Sequence, residues 1–213
     1  MPDSNTPISS SKHHWFEPAT AILMAVASLA TAWCSYQNSC WSSISSGLED
    51  KADKLEREAS VLKLESHQLE AVQMAAVMEV VDAMLDGDEK RAAFHTSRFG
   101  GELKTAYEKW MALKPFENPQ APPHPLVPAL YTPRHHQEIK ENLTQAAQDE
   151  AQSNQAGHTA SIYLSNTVIL ASVLFFAGTM GKFSQKHVRW SSLTFAVVLF
   201  SYALVRLLML PVA

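Results

Sequence analysis

The sequence predicts an all-α protein: three transmembrane helices with an extramembrane helical bundle of long antiparallel, coiled-coil-like helices and a proline-rich strap. Three observations lead there. Apolar stretches at 18–36, 160–180 and 190–210 contain no acidic residue, and only the third holds a basic one, Arg206. Each is long enough to cross a hydrocarbon core of about 30 Å at about 1.5 Å per residue. Between the first and the second lies a polar, acidic stretch whose apolar residues recur with a helical period. A mean hydropathy of −0.09 conceals this division, because the apolar residues gather at the two ends.

The expected organisation is a cytoplasmic tail at 1–16, a first span at 17–37 and an extracytoplasmic helical domain at 38–158. A second span at 159–180, a basic cytoplasmic loop at 181–189 and a third span at 190–210 complete it. Orientation rests on Lys182, Lys186 and Arg189, which share one short loop with no acid. Positive residues in short loops stay cytoplasmic, so 38–158 falls on the other side. Lys12, His13 and His14 in the tail agree, and Trp15, Phe16, Trp33, Tyr36 and Trp41 suit aromatic belts at two interfaces. A rival reading makes 1–32 a cleaved secretory signal, with Ala30, Thr31 and Ala32 before the cut. The long segment before the apolar run, its Glu17, and apolar character continuing to Tyr36 favour an uncleaved span. Either way 38–158 lies on the same side.

The first helix is expected from Pro18, where a missing N–H costs nothing, with a soft spot that bends it at 42–47. Leu48, Ala52, Leu55, Ala59, Leu62, Ser66, Leu69, Gln73, Ala76, Val80 and Ala83 then alternate at spacings of four and three, a heptad seam. Residues 71–85 are apolar nearly all round and read as a buried helix end, with Met74, Met78 and Met84 as core filling. Gly87 ends this helix, and Asp88 caps the next, which runs to about Arg98 before Gly100 and Gly101 break it. Leu103, Tyr107, Trp110 and Met111 mark an amphipathic helix to about Leu113. Seven prolines at 115–133 exclude helix and central strand and suggest a stretched strap of up to about 60 Å. Leu126, Val127, Leu130 and Tyr131 are available to pin it. A final helix from about Arg134 carries Ile139, Leu143 and Ala147 on one stripe and continues past Gly157 and His158 into the second span. Two long antiparallel helices would then rise together from the membrane.

Residues 37–157 hold 12 Lys and Arg against 19 Asp and Glu, a net −7, which excludes nucleic acid and anionic membrane surface as partners of that region. Cys34 and Cys40, the only cysteines, point about 120° apart on one helix, too far for an intrahelical bridge, and their spacing excludes a CxxC site. His95, His124, His135, His136 and Glu138 show no HxxxH, HExxH or ExxH spacing and read as solvated. No nucleophile elbow, P-loop or dinucleotide fingerprint occurs. The expectation is therefore no catalytic, cofactor-binding or metal site.

Inside the spans, Asn166 and Arg206 lie at matching depths, about 6–10 Å from the outer ends of two antiparallel helices. They read as a structural polar pair; an ion path lacks any intramembrane Asp, Glu or His to relay a proton. Ala177 and Gly181, with Gly178 beside them, offer small-xxx-small spacing for close helix packing or dimerisation.

Residues 30–41 read ATAWCSYQNSCW, 110–115 read WMALKP, 118–123 read NPQAPP and 171–178 read ASVLFFAG. In this order they resemble a family of small bacterial inner-membrane proteins. The resemblance implies a bacterial origin and three spans and brings no activity with it. Cys34 and Cys40 stand where that family has small residues. The functional expectation is a non-enzymatic interaction or scaffold protein, with the lipid bilayer and a homo-oligomer or envelope protein as partners and no nucleic acid. The alternative is an accessory subunit of a transport or export complex.

Overall fold

The computed structural model describes residues 16–182 and 185–213 and is all-helical among them. The tail 1–15, with Lys12, His13, His14 and Trp15, lies outside the described residues. The elements are α1 (Phe16–Leu85), α2 (Glu89–Thr96), α3 (Gly101–Ala112), α4 (His136–Thr179), a 3₁₀ turn (Met180–Lys182) and α5 (Lys186–Met209). Three helices are long and apolar enough to cross a membrane: Pro18–Leu85, His136–Thr179 and His187–Met209. The chain is thus a multi-pass membrane protein. It divides into two compact units, 1–49 with 150–213, and 50–149, with α1 and α4 contributing to both.

In the first unit α1, α4 and α5 pack in layers, seven residues apart on α1 and α5 and one turn apart on α4. One layer joins Ala27, Val173 and Ala196. The next joins Cys34, Leu170 and Ala203, with Tyr163 a further two turns along α4. Numbers rise on α1 and α5 as they fall on α4, so neighbours run antiparallel. A seven-residue burial period is what helices crossing at a small angle require. α1 and α5 contribute small residues to these layers, Ala27, Cys34, Ala196 and Ala203, against larger ones on α4, because lipid tails give no hydrophobic drive between spans and close backbone approach supplies dispersion instead. Large apolar side chains point outward: Ile22, Leu29, Val168, Phe175, Val198 and Leu208 are all exposed. This is the reverse of a water-soluble bundle.

Segment 42–47, expected to bend the first helix, stays helical. Its Ser45 works across the interface rather than against its own helix. Ser45 Oγ donates to Ser153 O (2.9 Å) and Ser153 Oγ donates to Ser45 O (2.9 Å). Gly157, one turn on, is a close-approach position, since a Cβ there would lie 3.1 Å from Ser45 Oγ.

In the second unit the α1 seam is buried or half-buried at every position from Ala52 to Ala83. Segment 71–85 is not buried all round, however. Val77, Val80 and Ala83 are enclosed, whereas Val72, Met78 and Leu85 are exposed. The reason is that α3 and the strap cover only one side of it. Gly87, at φ +73°, ends α1 with Asp88 N–H donating to Ala83 O (2.9 Å), the left-handed stop that glycine permits. Asp88 Oδ1 then accepts from Arg91 N–H (3.0 Å) and caps α2.

Val77 and Val80 pack with Phe99, Leu103, Tyr107 and Trp110, and Leu126 and Leu130 of the strap close over them. The strap is a chain of turns rather than a stretched polyproline run: Asn118 N–H bonds to Lys114 O, Ala121 N–H to Asn118 O, and Tyr131 N–H to Val127 O. Asn118 Oδ1 also accepts from Gln120 N–H (3.0 Å), a side-chain turn that competes with extension. Two polar bonds hold the strap down. Trp110 Nε1 donates to Pro122 O (2.6 Å), and Tyr131 OH donates to Gln73 Oε1 (2.7 Å).

Burial pushes the Tyr107 hydroxyl above its ordinary 10.0. Burial also raises Tyr131, reinforced by the charges of Glu70 and Glu102 and opposed by the Gln73 bond. The folded unit therefore keeps protons that the unfolded chain releases. Its stability contribution is whole below about pH 10 and is lost as pH rises through the higher folded values. Thermal unfolding should accordingly shift downward above about pH 10. Tyr131→Phe should cost about 0.5–1.5 kcal/mol at neutral pH and flatten that alkaline slope; an unchanged slope would show that Tyr131 titrates as a solvated phenol.

Candidate functional site

The most specific polar geometry in the first unit lies along the shared face of the three spans. Asn166 is fully buried on α4. Its Nδ2 donates to Ala203 O on α5 (3.2 Å) and to Cys34 Sγ on α1 (3.5 Å), so one amide pins all three helices at a single level. The carbonyl can only accept, which fixes which amide atom faces it. Asn166 Oδ1 is buried and has no partner among the described residues.

Arg206 is not among the residues that Asn166 bonds. Its guanidinium carbon lies 5.8 Å from the ring centre of Tyr202, one turn back on the same helix. Asn166 instead spends its donors on a backbone carbonyl and a thiol already facing it across the close-packed layer. Arg206, half-buried, has a neighbouring aromatic face to lie against.

One turn further along, three side chains clamp segment 210–213. Tyr163 OH (3.0 Å) and Trp41 Nε1 (3.2 Å) both donate to Pro211 O, and Ala213 N–H donates to Gln37 Oε1 (2.9 Å). Gln37 is 1% exposed, an unusual depth for an amide at the end of a span. The clamp has a backbone cause. α5 stops with Leu210 extended, so the groups beyond it have no helical partner and must find side-chain ones. Sequence reading stopped the third span at 210 and did not single out Gln37, Tyr163 or Pro211. Counting the seam backward by sevens from Leu48 to Trp41, Cys34, Ala27 and Thr20 would have exposed the inward face of α1.

The remaining sequence-derived residues are dispersed. Ala177 is buried, and Gly178 beside it faces Met24, whose Cε lies 3.7 Å from where a Cβ would stand. Gly181 falls in the 3₁₀ turn. Lys182 is exposed and Arg189 half-buried in the first turn of α5; the packing of Gly181 and the side chain of Lys186 lie outside the description. Cys34 and Cys40 are free thiols. His135, at φ +61°, meets Glu138 (3.1 Å) and Glu65 (4.0 Å), a link between the start of α4 and α1. Among the described residues no group of three or more His, Cys, Asp or Glu side chains could hold a metal ion.

Chemically the inward face of the spans offers the Asn166 amide, the Cys34 thiol and the Tyr163 phenol, each engaged in joining separate segments. Two substitution sets test this. Trp41→Phe and Tyr163→Phe should each cost about 0.5–1.5 kcal/mol in detergent. Together they should cost more than their sum, because the second loss strips the Pro211 carbonyl of its last side-chain donor; simple additivity would show that water replaces them freely. Asn166→Leu and Arg206→Leu should be additive within about 0.3–0.5 kcal/mol, as for residues that share no partner. A coupling above about 1 kcal/mol would show that the two side chains meet directly.

No family model matches the chain, and neither the curated proteins nor the solved structures contain a match to it.

Proposed function

We propose that this is a non-enzymatic protein of the bacterial inner membrane whose polar region 38–158 is an extracytoplasmic interaction or scaffold module. The observation that carries the reading is a second apolar seam on α1. Val61, Leu64, Val72, Met78 and Leu85 are all exposed, Leu64 at 59% and Leu85 at 70%. Leu64, Ala71, Met78 and Leu85 stand seven residues apart, and Ala71 is exposed as well. That spacing keeps one face toward a partner helix, the register of a coiled coil. An aligned apolar stripe on an otherwise acidic unit marks an interaction surface rather than ordinary scatter.

Glu79 and Asp82 lie on or beside the stripe, and the surrounding region carries the net −7 noted above. A second copy laid along it would set acid against acid. A partner helix with basic flanks fits better. The resemblance at 30–41 supports the bacterial setting, and Lys182, Lys186 and Arg189 support the orientation.

Two experiments test the proposal. Leu64→Glu with Met78→Glu in the full chain should abolish in-cell crosslinking from α1 to its partner while helicity and melting temperature stay near wild type. An unchanged crosslink pattern would remove the seam from consideration, and a transporter recovered at fixed stoichiometry would favour the accessory-subunit reading. For orientation, a cysteine at Gln120 should react with an impermeant reagent in intact cells and one at Lys186 should not; labelling at Lys186 would overturn the topology.

A further inference from the structure

We propose that the groove between α4 and α5, beside the basic 181–189 loop, is a binding site for an anionic phospholipid. An acyl chain would lie against Phe175, Phe176 and Phe195, with its phosphate met by Lys182 and Arg189. The inference rests on the multi-pass architecture and on the proposed cytoplasmic side of the 181–189 loop, and is independent of the interaction-module reading.

The groove encloses about 490 Å³, within the roughly 300–1,000 Å³ of small-ligand sites. Its walls are built from Phe175, Phe176 and Thr179 on α4 and Val188, Ser191 and Phe195 on α5. Phe176 stands edge-on to Phe175 (5.5 Å, 81°) and to Phe195 (4.9 Å, 83°), which gives a packed aromatic floor. The hydroxyls in the wall are turned away from the cavity. Thr179 Oγ1 donates to Phe175 O (2.9 Å), Ser191 Oγ to His187 O (3.0 Å) and Ser192 Oγ, also in the wall, to Phe176 O (3.1 Å). Each hydroxyl proton is spent on a helix carbonyl, so the surface left to a ligand is hydrocarbon. A polar metabolite would find no donor there, whereas a lipid tail would lose nothing on entering.

Charge selects the headgroup. Lys182 lies three residues beyond Thr179, and Arg189 follows Val188 directly, so each cation stands next to a wall residue in the chain. Lys182 is exposed and Arg189 half-buried, and both side chains are long enough to reach a phosphate at the headgroup level. No Asp or Glu occurs anywhere in 159–213, so no carboxylate on α4's span or α5 competes for them. Basic residues beside an interhelical pocket at the cytoplasmic end of spans are the arrangement that holds anionic headgroups.

The test is native mass spectrometry of the purified full chain in detergent, titrated separately with phosphatidylglycerol and phosphatidylcholine of identical acyl chains. Purified protein is used because Lys182 and Arg189 also bear on insertion topology. Phosphatidylglycerol should bind on the order of tenfold more tightly, from two basic contacts each contributing several-fold. Lys182→Gln with Arg189→Gln should erase that preference and leave phosphatidylcholine binding unchanged. Ser191→Phe, which fills the groove, should reduce retention of both lipids, and Val188→Phe serves the same purpose should Ser191→Phe fail to fold. Equal binding of the two lipids, a preference that survives loss of both cations, or full retention in the filled variants would each overturn the proposal. So would a second copy of the chain bound in place of lipid.

Discussion

Lipid is a poor solvent for backbone polar groups and an indifferent one for leucine, and that constraint organises everything in the first unit. Helices satisfy their own backbone within each span, but they gain nothing hydrophobic by meeting. What remains is close approach, and close approach requires small side chains. Ala27 meets Val173 and Ala196, and seven residues on Cys34 meets Leu170 and Ala203. On the other faces Ile22, Leu29, Val168, Phe175, Val198 and Leu208, which a soluble bundle would bury, are turned outward. A larger residue at Ala196 or Ala203 would push α5 away from its neighbours and weaken the bond from Asn166 to the Ala203 carbonyl, which forms only at close approach.

The polar pins follow from the same geometry. Where backbones approach closely, a short amide such as Asn166 can reach a carbonyl on one neighbour and a thiol on the other. Where a helix ends, its unpaired groups take donors from Trp41, Tyr163 and Gln37. The run ATAWCSYQNSCW then has a physical reading. Cys34, Gln37 and Trp41 face inward at spacings of three and four, while Trp33 and Tyr36, each one residue before an inward one, are exposed, their rings 6.0 Å apart. About two and a half turns of helix serve both the bundle and the surface around it.

The second unit obeys the ordinary rules of water. Its core is aromatic, built on Trp110, Tyr107 and Phe99, and its strap is held by hydrogen bonds from buried rings. Prolines there do what they do in loops generally: they forbid regular structure and favour turns, and Asn118 completes one. Apolar residues on the open face of α1 are the exception to those rules, and they form the seam on which the proposed interaction rests.

Span number, helix type and the breaks at Gly87 and 100–101 were legible in the sequence, because they depend on local composition: apolar length, left-handed glycine and capping aspartate act within a few residues of themselves. So was the buried seam on α1, since a seven-residue period is visible in one dimension. The partners of Asn166, the clamp on 210–213, the compact strap and the open side of 71–85 were decided only by tertiary structure. Each depends on which faces of distant segments meet and at what height. A hydrogen bond between residues 37 and 213, or 41 and 211, is set by the register in which three helices meet, and no single stretch of sequence carries that register.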